Sequence, residues 1–338
     1  MSINSINPVN GQIIRSYQPH TSKEIGEIID STHQAWEKWK ETSYSFRSKL
    51  LLATAKILRN KKEELAILMA LEMGKPLQGG RAEIEKCADV CEYYAENAER
   101  FLKDELIGTG ASKSYVHFQP LGIVLAIMPW NFPFWQVFRF LAPALMAGNA
   151  ALLKHASNVF GCALEIEKII REAGFPDHLF RCLLIPGSEV DQVIENPMVR
   201  AITLTGSTNA GKKVAAKAAS LLKKSVLELG GSDAYLILED ADLELAAESC
   251  VNSRLINSGQ SCIAAKRFIV VKSVEKEFTE LFRQKMSLKV MGDPMDKNTD
   301  IGPQARTDLR DELHQQVVKS IRMGAKCILG GEVSAGAH

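Results

Sequence analysis

Between Gly122 and Gly206 the chain repeats one pattern, a short apolar run bounded by glycine or proline followed by a stretch of helical periodicity. The runs are GIVLAIM (122–128), AALLK (150–154), RCLLIPG (181–187) and VRAITLTG (199–206); FWQVFRFLAPALMAG and FGCALEIEKIIREAGF are among the helical stretches. Short apolar runs flanked by breakers read as buried strands, and apolar residues three or four positions apart read as one face of a helix. Strands alternating with amphipathic helices build βαβ units with right-handed crossovers, and therefore a parallel sheet. The expected fold class is α/β, with ligands at the carboxyl ends of the strands.

Upstream the texture differs. From Thr21 to about Leu102 apolar positions recur at helical spacing in IGEIIDSTHQAWEKW, LLLATAKILRNKKEELAILMALEMG and AEIEKCADVCEYYAENAERFL, which predicts a helical layer. SKSYVHFQPLG then alternates residue types and contains Pro120, which suits an exposed or edge strand that serves pairing between subunits.

A chain of 338 residues, 46% hydrophobic and 24% charged, is long enough for two domains with real cores. Its formal net charge of +1, with basic and acidic residues interspersed, gives no electrostatic footprint for nucleic acid or an anionic membrane. MSINSINPVNGQ lacks a basic region followed by an apolar run, so no signal peptide is expected. No apolar stretch reaches the roughly 18 residues of a membrane span. Seven scattered cysteines read as reduced thiols of a soluble, cytoplasmic protein. Cys87 and Cys91 stand at helical spacing without the surrounding ligands of a metal site, so they are expected to pack in a core, and no metal is expected.

Four turns carry candidate chemistry. In TLTGSTNAGKKVAAKAA a strand ends at Gly206, Ser207 and Thr208 present hydroxyls at a helix N-terminus, and Gly211 permits close packing of the helix on the sheet. Exposed N–H groups and the helix dipole favour an anion there, such as a dinucleotide phosphate; ordinary capping explains the same residues. In SVLELGGSDAYLI, Glu228 lies between Leu227 and Leu229 just before Gly230-Gly231. It is either a solvated charge at a strand end or a carboxylate in partly apolar surroundings that takes a proton from water. In NSGQSCIAAKR, Cys262 is either an inert core residue or a nucleophile presented on a small-residue turn with Lys266 and Arg267 nearby in sequence. In MPWNFPFWQ, Asn131 falls between Pro129 and Pro133 at the end of a strand and offers a neutral N–H donor, the kind of group an oxyanion hole requires.

Pro129-Trp130-Asn131-Phe132-Pro133, the Lys154 segment, Gly206-Ser207-Thr208, Glu228-Leu229-Gly230-Gly231 and Gly259-Gln260-Ser261-Cys262 occur in the order and spacing of the aldehyde dehydrogenase superfamily, which the chain resembles over essentially its whole length. The resemblance implies a Rossmann-like parallel-sheet cofactor domain (1–110 and 124–230), an oligomerisation strand (111–123) and an incomplete α/β catalytic domain (231–338). It further implies that the Cys262 thiolate attacks an aldehyde, that Asn131 and the Cys262 N–H hold the resulting oxyanion, and that Glu228 activates the water that hydrolyses the thioester. Trp130, Lys154, Gly206, Ser207 and Leu229, with Gly211, fall where the family holds its cofactor.

The substrate implied is an aldehyde, and Arg139, eight residues after Asn131, stands where succinate semialdehyde dehydrogenases hold the substrate carboxylate; alternatively it only covers a helix face. A second arginine that some of those enzymes carry is Ile256 here, with Arg254 as a substitute. Ser157, three residues after Lys154, stands where NAD enzymes of the family carry a glutamate, so NADP is expected to be preferred and NAD tolerated; alternatively Ser157 only caps a helix. Ala264 replaces a second cysteine found in some relatives, which excludes an inhibitory disulfide at that position. The family continues for over a hundred residues beyond GGEVSAGAH and forms homodimers or larger oligomers. The alternatives are an enzyme for another aldehyde and an inactive cofactor-binding fragment.

Overall fold

The computed structural model describes residues 2–333. In chain order its elements are β1 (Ile3–Ile6), β2 (Ile13–Tyr17), α1 (Ser22–Trp39), α2 (Tyr44–Asn60), α3 (Lys62–Met73), α4 (Leu77–Phe101), β3 (Glu105–Leu106), β4 (Tyr115–Val116), β5 (Ile123–Met128), α5 (Trp135–Met146), β6 (Ala150–His155), α6 (Phe160–Glu172), β7 (Phe180–Cys182), α7 (Val190–Glu195), β8 (Val199–Thr205), α8 (Thr208–Ser220), β9 (Lys224–Glu228), β10 (Ala234–Ile237), α9 (Leu243–Leu255), β11 (Arg267–Val270), α10 (Glu275–Ser287) and α11 (Thr307–Arg322). They fall into two compact units. One holds the residues up to Ser5, Arg15–Leu65 and Arg81–Leu229; the other holds Ile6–Ile14, Ala66–Gly80 and the chain from Gly230 onward.

The predicted helical layer is α1 to α4. Thr21 starts α1 with a capping box: its hydroxyl accepts from the Glu24 N–H at 3.3 Å, and the Glu24 carboxylate accepts from the Thr21 N–H at 2.7 Å. Ile25, Ile28, Ile29 and Thr32 then recur on the buried face. The stretch LLLATAKILRNKKEELAILMALEMG holds two helices, because Lys61 leaves helical geometry between α2 and α3. Cys87 and Cys91 are fully buried in α4, and burial pushes the Cys91 thiol far above its ordinary range.

The first unit is built on a five-stranded parallel sheet in the order β7-β6-β5-β8-β9. β5 and β6 are almost entirely buried, which explains their uninterrupted apolar sequences. The chain steps from β5 through β6 to β7, then returns to the other side of β5 for β8 and β9. The strand order therefore reverses between β5 and β8, leaving a crevice at the carboxyl edge.

Two predicted strands are shorter than expected. β7 covers only Phe180–Cys182, at the sheet edge, and the chain leaves it for Pro186 and a 3-10 turn at Gly187–Glu189. In SKSYVHFQPLG only Tyr115 and Val116 pair, antiparallel to Glu105 and Leu106; Pro120 has no N–H to extend the ladder.

In the second unit β10 and β11 pair in parallel across α9, a further βαβ step. Its core is Ile237, Ala247, Cys250 and Phe278, with Phe268 and Phe282 packed against it and their own ring centroids 5.0 Å apart. Among the described residues α11 has no buried side chain.

Candidate active site

Every candidate residue of the first unit except Arg139 and Gly211 sits at the carboxyl edge of its sheet. Trp130 and Asn131 follow β5, Lys154 and Ser157 end and follow β6, Gly206 and Ser207 follow β8, and Glu228 and Leu229 end and follow β9. The turn after β8 is tied to β9, since the Gly206 N–H donates to the Glu228 carbonyl at 3.0 Å. Ser207 is the N-cap of α8 and accepts from the Ala210 N–H at 3.3 Å. The capping reading is thus correct for that hydroxyl. The helix dipole and the first-turn N–H groups, which have no intrahelical partner, still present positive potential there.

Gly211 serves a different neighbour from the one expected. A Cβ at this position would lie 2.6 Å from Leu229 Cδ2, so the missing side chain makes room for Leu229 rather than for the sheet itself.

Lys154 is half-buried, and among the described residues no side-chain hydrogen bond or ion pair engages its ammonium. Burial alone pushes its pKa down. A partly desolvated cation without an anion, beside a helix N-terminus and a strand-order reversal, fits the ribose and phosphate groups of a dinucleotide. Ser157 opens a 3-10 turn, Ser157–Val159. The N-cap positions of that turn and of α6 are Ala156 and Val159, neither with a side-chain cap, so the alternative that Ser157 only caps a helix is not met.

Asn131 is half-buried in the loop between β5 and α5. Its Oδ1 accepts from the Phe132 N–H at 3.1 Å, which turns the NH₂ branch of the carboxamide away from that peptide. Two buried residues that sequence reasoning missed hold this loop. His155 Nε2 lies 2.9 Å from the Pro133 carbonyl, and Glu83 Oε1 accepts from the N–H groups of Phe134 and Trp135, both at 2.9 Å.

Burial pulls the His155 pKa down from 6.5 to about 4, against the opposing effect of its carbonyl partners. The unfolded chain then binds the proton more tightly than the folded one. The contribution of this group to stability is in place above pH 6.5 and is lost as pH falls toward 4, with on the order of 2 kcal/mol gone by pH 5. Urea unfolding at pH 7.5 and pH 5 should show this loss in the wild type and a smaller loss in His155→Gln. Equal losses in the two proteins would show that His155 does not titrate this way.

Arg139, on α5, lines a cavity of about 540 Å³ with Thr205, Lys224, Val226 and Glu228. Its Nη2 donates to Thr205 Oγ1 at 3.1 Å, and its Nη1 lies 3.8 Å from Glu228 Oε2. Thr205 and Glu228 are register partners on β8 and β9, so one guanidinium meets both strand ends. Arg139 therefore does more than cover a helix face. Of the two readings of Glu228, the solvated charge at a strand end describes its side chain in this unit, which is 55% exposed beside a cation. The reason is topological: β9 is an edge strand, and its residues are mostly exposed.

In the second unit Cys262 follows a strained turn. Asn257, Ser258 and Gly259 are consecutive left-handed residues with φ of 54°, 56° and 77°. Two such non-glycine residues cost on the order of 1–3 kcal/mol each and persist only where surrounding contacts impose them. Ser258 Oγ accepts from the Gly302 N–H and Gln260 Oε1 from the Ala305 N–H, both at 3.0 Å. Cys262 is half-buried, and its carbonyl accepts from Lys266 Nζ at 2.7 Å. Both cations of the turn are held by backbone carbonyls, Lys266 by those of Cys262 and Ala264 and Arg267 by that of Ser232 at 2.7 Å. Arg254 packs beside Gly259, and its Nη1 is buried without a hydrogen-bond partner among the described residues. Of the other six cysteines five are buried, and Cys327 alone is exposed.

A doubly wound parallel sheet with polar groups gathered along its carboxyl edge is the class of fold that binds dinucleotides. The model of the aldehyde dehydrogenase family matches residues 1–338, and the chain belongs to that family. It is 47% identical over 332 residues to a Synechocystis sp. protein named "Probable succinate-semialdehyde dehydrogenase [NADP(+)]", and 45% identical over 335 residues to the Mycobacterium leprae "Succinate-semialdehyde dehydrogenase [NADP(+)]". Each match covers 98% of this chain and 73% of the relative. The crystal structure of succinic semialdehyde dehydrogenase from Streptococcus pyogenes in complex with NADP+ superposes with a TM-score of 0.97 at 33% identity, over 99% of this chain and 74% of that one.

Proposed function

We propose that this chain carries the machinery that oxidises succinate semialdehyde to succinate with NADP as the preferred acceptor and NAD tolerated. The observation that carries the reading is the alignment of Asn131, Lys154, Gly206-Ser207 and Glu228 along one sheet edge, in a family whose similar members are named for that substrate and cofactor. On this reading the first unit binds the dinucleotide, and the second begins the catalytic domain. The exposed apolar residues of the β3–β4 ribbon, Leu106, Tyr115 and Val116, pair with a second copy, in a dimer or larger assembly. Reduced cysteines suit a cytoplasmic protein. No helix of the described residues is long and apolar enough to cross a membrane.

The Cys262 thiolate adds to the aldehyde carbon, giving a thiohemiacetal oxyanion that the Asn131 NH₂ group and the Cys262 N–H stabilise. A dinucleotide bound along the sheet edge supplies the acceptor for the hydride that leaves this carbon. Glu228 takes a proton from water as the water attacks the thioester; succinate leaves and the thiolate is restored. Arg139 holds the far carboxylate, while Trp130, Lys154, Ser157, Gly206, Ser207, Gly211 and Leu229 shape the dinucleotide site.

A second reading is an enzyme for neutral aldehydes, favoured by the engagement of Arg139 with Thr205 and Glu228. The two readings separate on Arg139→Leu: kcat/KM for succinate semialdehyde should fall by roughly tenfold to a hundredfold, the loss of a charge-assisted contact, while butanal oxidation is unchanged. Equal loss on both aldehydes favours the second reading. Absence of NADPH formation from either aldehyde by the wild-type chain would leave only dinucleotide binding. In the same assay, Ser157→Glu should lower kcat/KM for NADP by a comparable factor and spare NAD. Retained NADP selectivity would place the discrimination elsewhere.

A further inference from the structure

We infer that His155 and Glu83 are positioning residues for the oxyanion donor: they fix two consecutive peptide groups at the end of the loop that carries Asn131, and through that backbone they set the direction of its carboxamide. The inference rests on the role proposed above for Asn131. The loop from Pro129 to Phe134 contains no helix or strand, so its shape must be imposed by its neighbours. The Pro133 carbonyl is held by His155 Nε2 at 2.9 Å. Glu83 Oε1 takes the next two N–H groups, those of Phe134 and Trp135, at 2.9 Å each.

Both side chains are buried, His155 completely and Glu83 to 4% exposure, and they arrive from separate elements, the end of β6 and the second turn of α4. Phe134 is the N-cap of α5 and has no acceptor of its own. Glu83 caps that helix from a distance, and a carboxylate there is also favoured by the dipole.

The tautomer of His155 follows from its partners. Nε2 lies closer to its carbonyl than Nδ1 does to the Met128 carbonyl, at 2.9 Å against 3.2 Å. The Ala156 N–H, shared with Met128, also points at Nδ1 from 2.9 Å. The neutral ring therefore carries its proton on Nε2 and donates it to Pro133. Asn131 stands two residues upstream, with its Oδ1 held by the next peptide. A donor displaced by about 1 Å from a developing charge loses on the order of a hundredfold in rate, so an anchor two residues away matters although it touches no substrate.

The test is a cycle on single-turnover NADPH formation from succinate semialdehyde, combined with amide hydrogen exchange. His155→Leu should slow the single turnover by roughly tenfold to a hundredfold with NADP affinity unchanged, and His155→Gln, which keeps an N–H donor, should recover most of the rate. In an Asn131→Ala background His155→Leu should have no further effect. Losses that multiply in both backgrounds would mark His155 as merely structural and overturn the inference. Independently of turnover, the Phe134 and Trp135 amides should exchange slowly in the wild type and in Glu83→Gln, and rapidly in Glu83→Ala. Slow exchange in Glu83→Ala overturns the clamp. Asn131→Ala turning over at the wild-type rate overturns the oxyanion reading and the inference with it, whereas a slow Asn131→Ala beside a normal His155→Leu overturns the inference alone.

Discussion

Cys262→Ala should abolish aldehyde oxidation and leave dinucleotide binding as it is. In the proposed mechanism the thiolate supplies the bond to the aldehyde carbon, and no other group of the turn can replace it: Ser261 is buried, and the residue two after Cys262 is Ala264. The dinucleotide residues of the proposal belong to the other unit, so NADP titration should give the wild-type affinity. Cys327 provides the control, because it is the exposed cysteine and would react first if exposure alone governed labelling. Iodoacetamide labelling of Cys262 with loss of activity is expected. Activity surviving in Cys262→Ala would remove it from the mechanism.

Glu228→Gln should separate the two halves of the reaction. The amide keeps the shape of the side chain but cannot take a proton from water, so thioester formation proceeds and hydrolysis stalls. The expected trace is one equivalent of NADPH per active site, followed by turnover lowered on the order of 10²–10⁴-fold, the range of general-base contributions. The variant also removes the charge that Arg139 faces at 3.8 Å. That contact is partly exposed, so its loss should change stability little. A steady-state rate equal to wild type would show that another group activates the water.

Much of this architecture is legible in the chain. Buried parallel strands must be apolar throughout, so GIVLAIM and AALLK announce β5 and β6 directly, and the breakers between runs mark where the sheet edge lies. The roles proposed for Cys262, Asn131 and Glu228 can be read from sequence because that chemistry demands particular residue types in particular turns. Length and periodicity were weaker guides at the periphery. One continuous helical texture concealed the break at Lys61, and Pro120 cut short the strand expected around Tyr115.

What only the tertiary structure decided is which ordinary residue becomes a neighbour of the site. Glu83 and Glu85 look alike in AEIEKC, yet Glu85 pairs with Arg59 and Lys62 at the surface, while Glu83 is buried and caps α5, 51 residues away. His155 follows Lys154 with no sign that one will lean on the Pro133 carbonyl while the other finds no side-chain partner among the described residues. The exposure of Glu228 depends on β9 being an edge strand, and the left-handed Asn257 and Ser258 depend on contacts from Gly302 and Ala305 to their turn. Sequence determines local propensity and residue chemistry, which act over a few positions. Pairing between groups tens of residues apart is fixed only when burial forces each polar atom to find a partner, and that selection takes place in the folded chain.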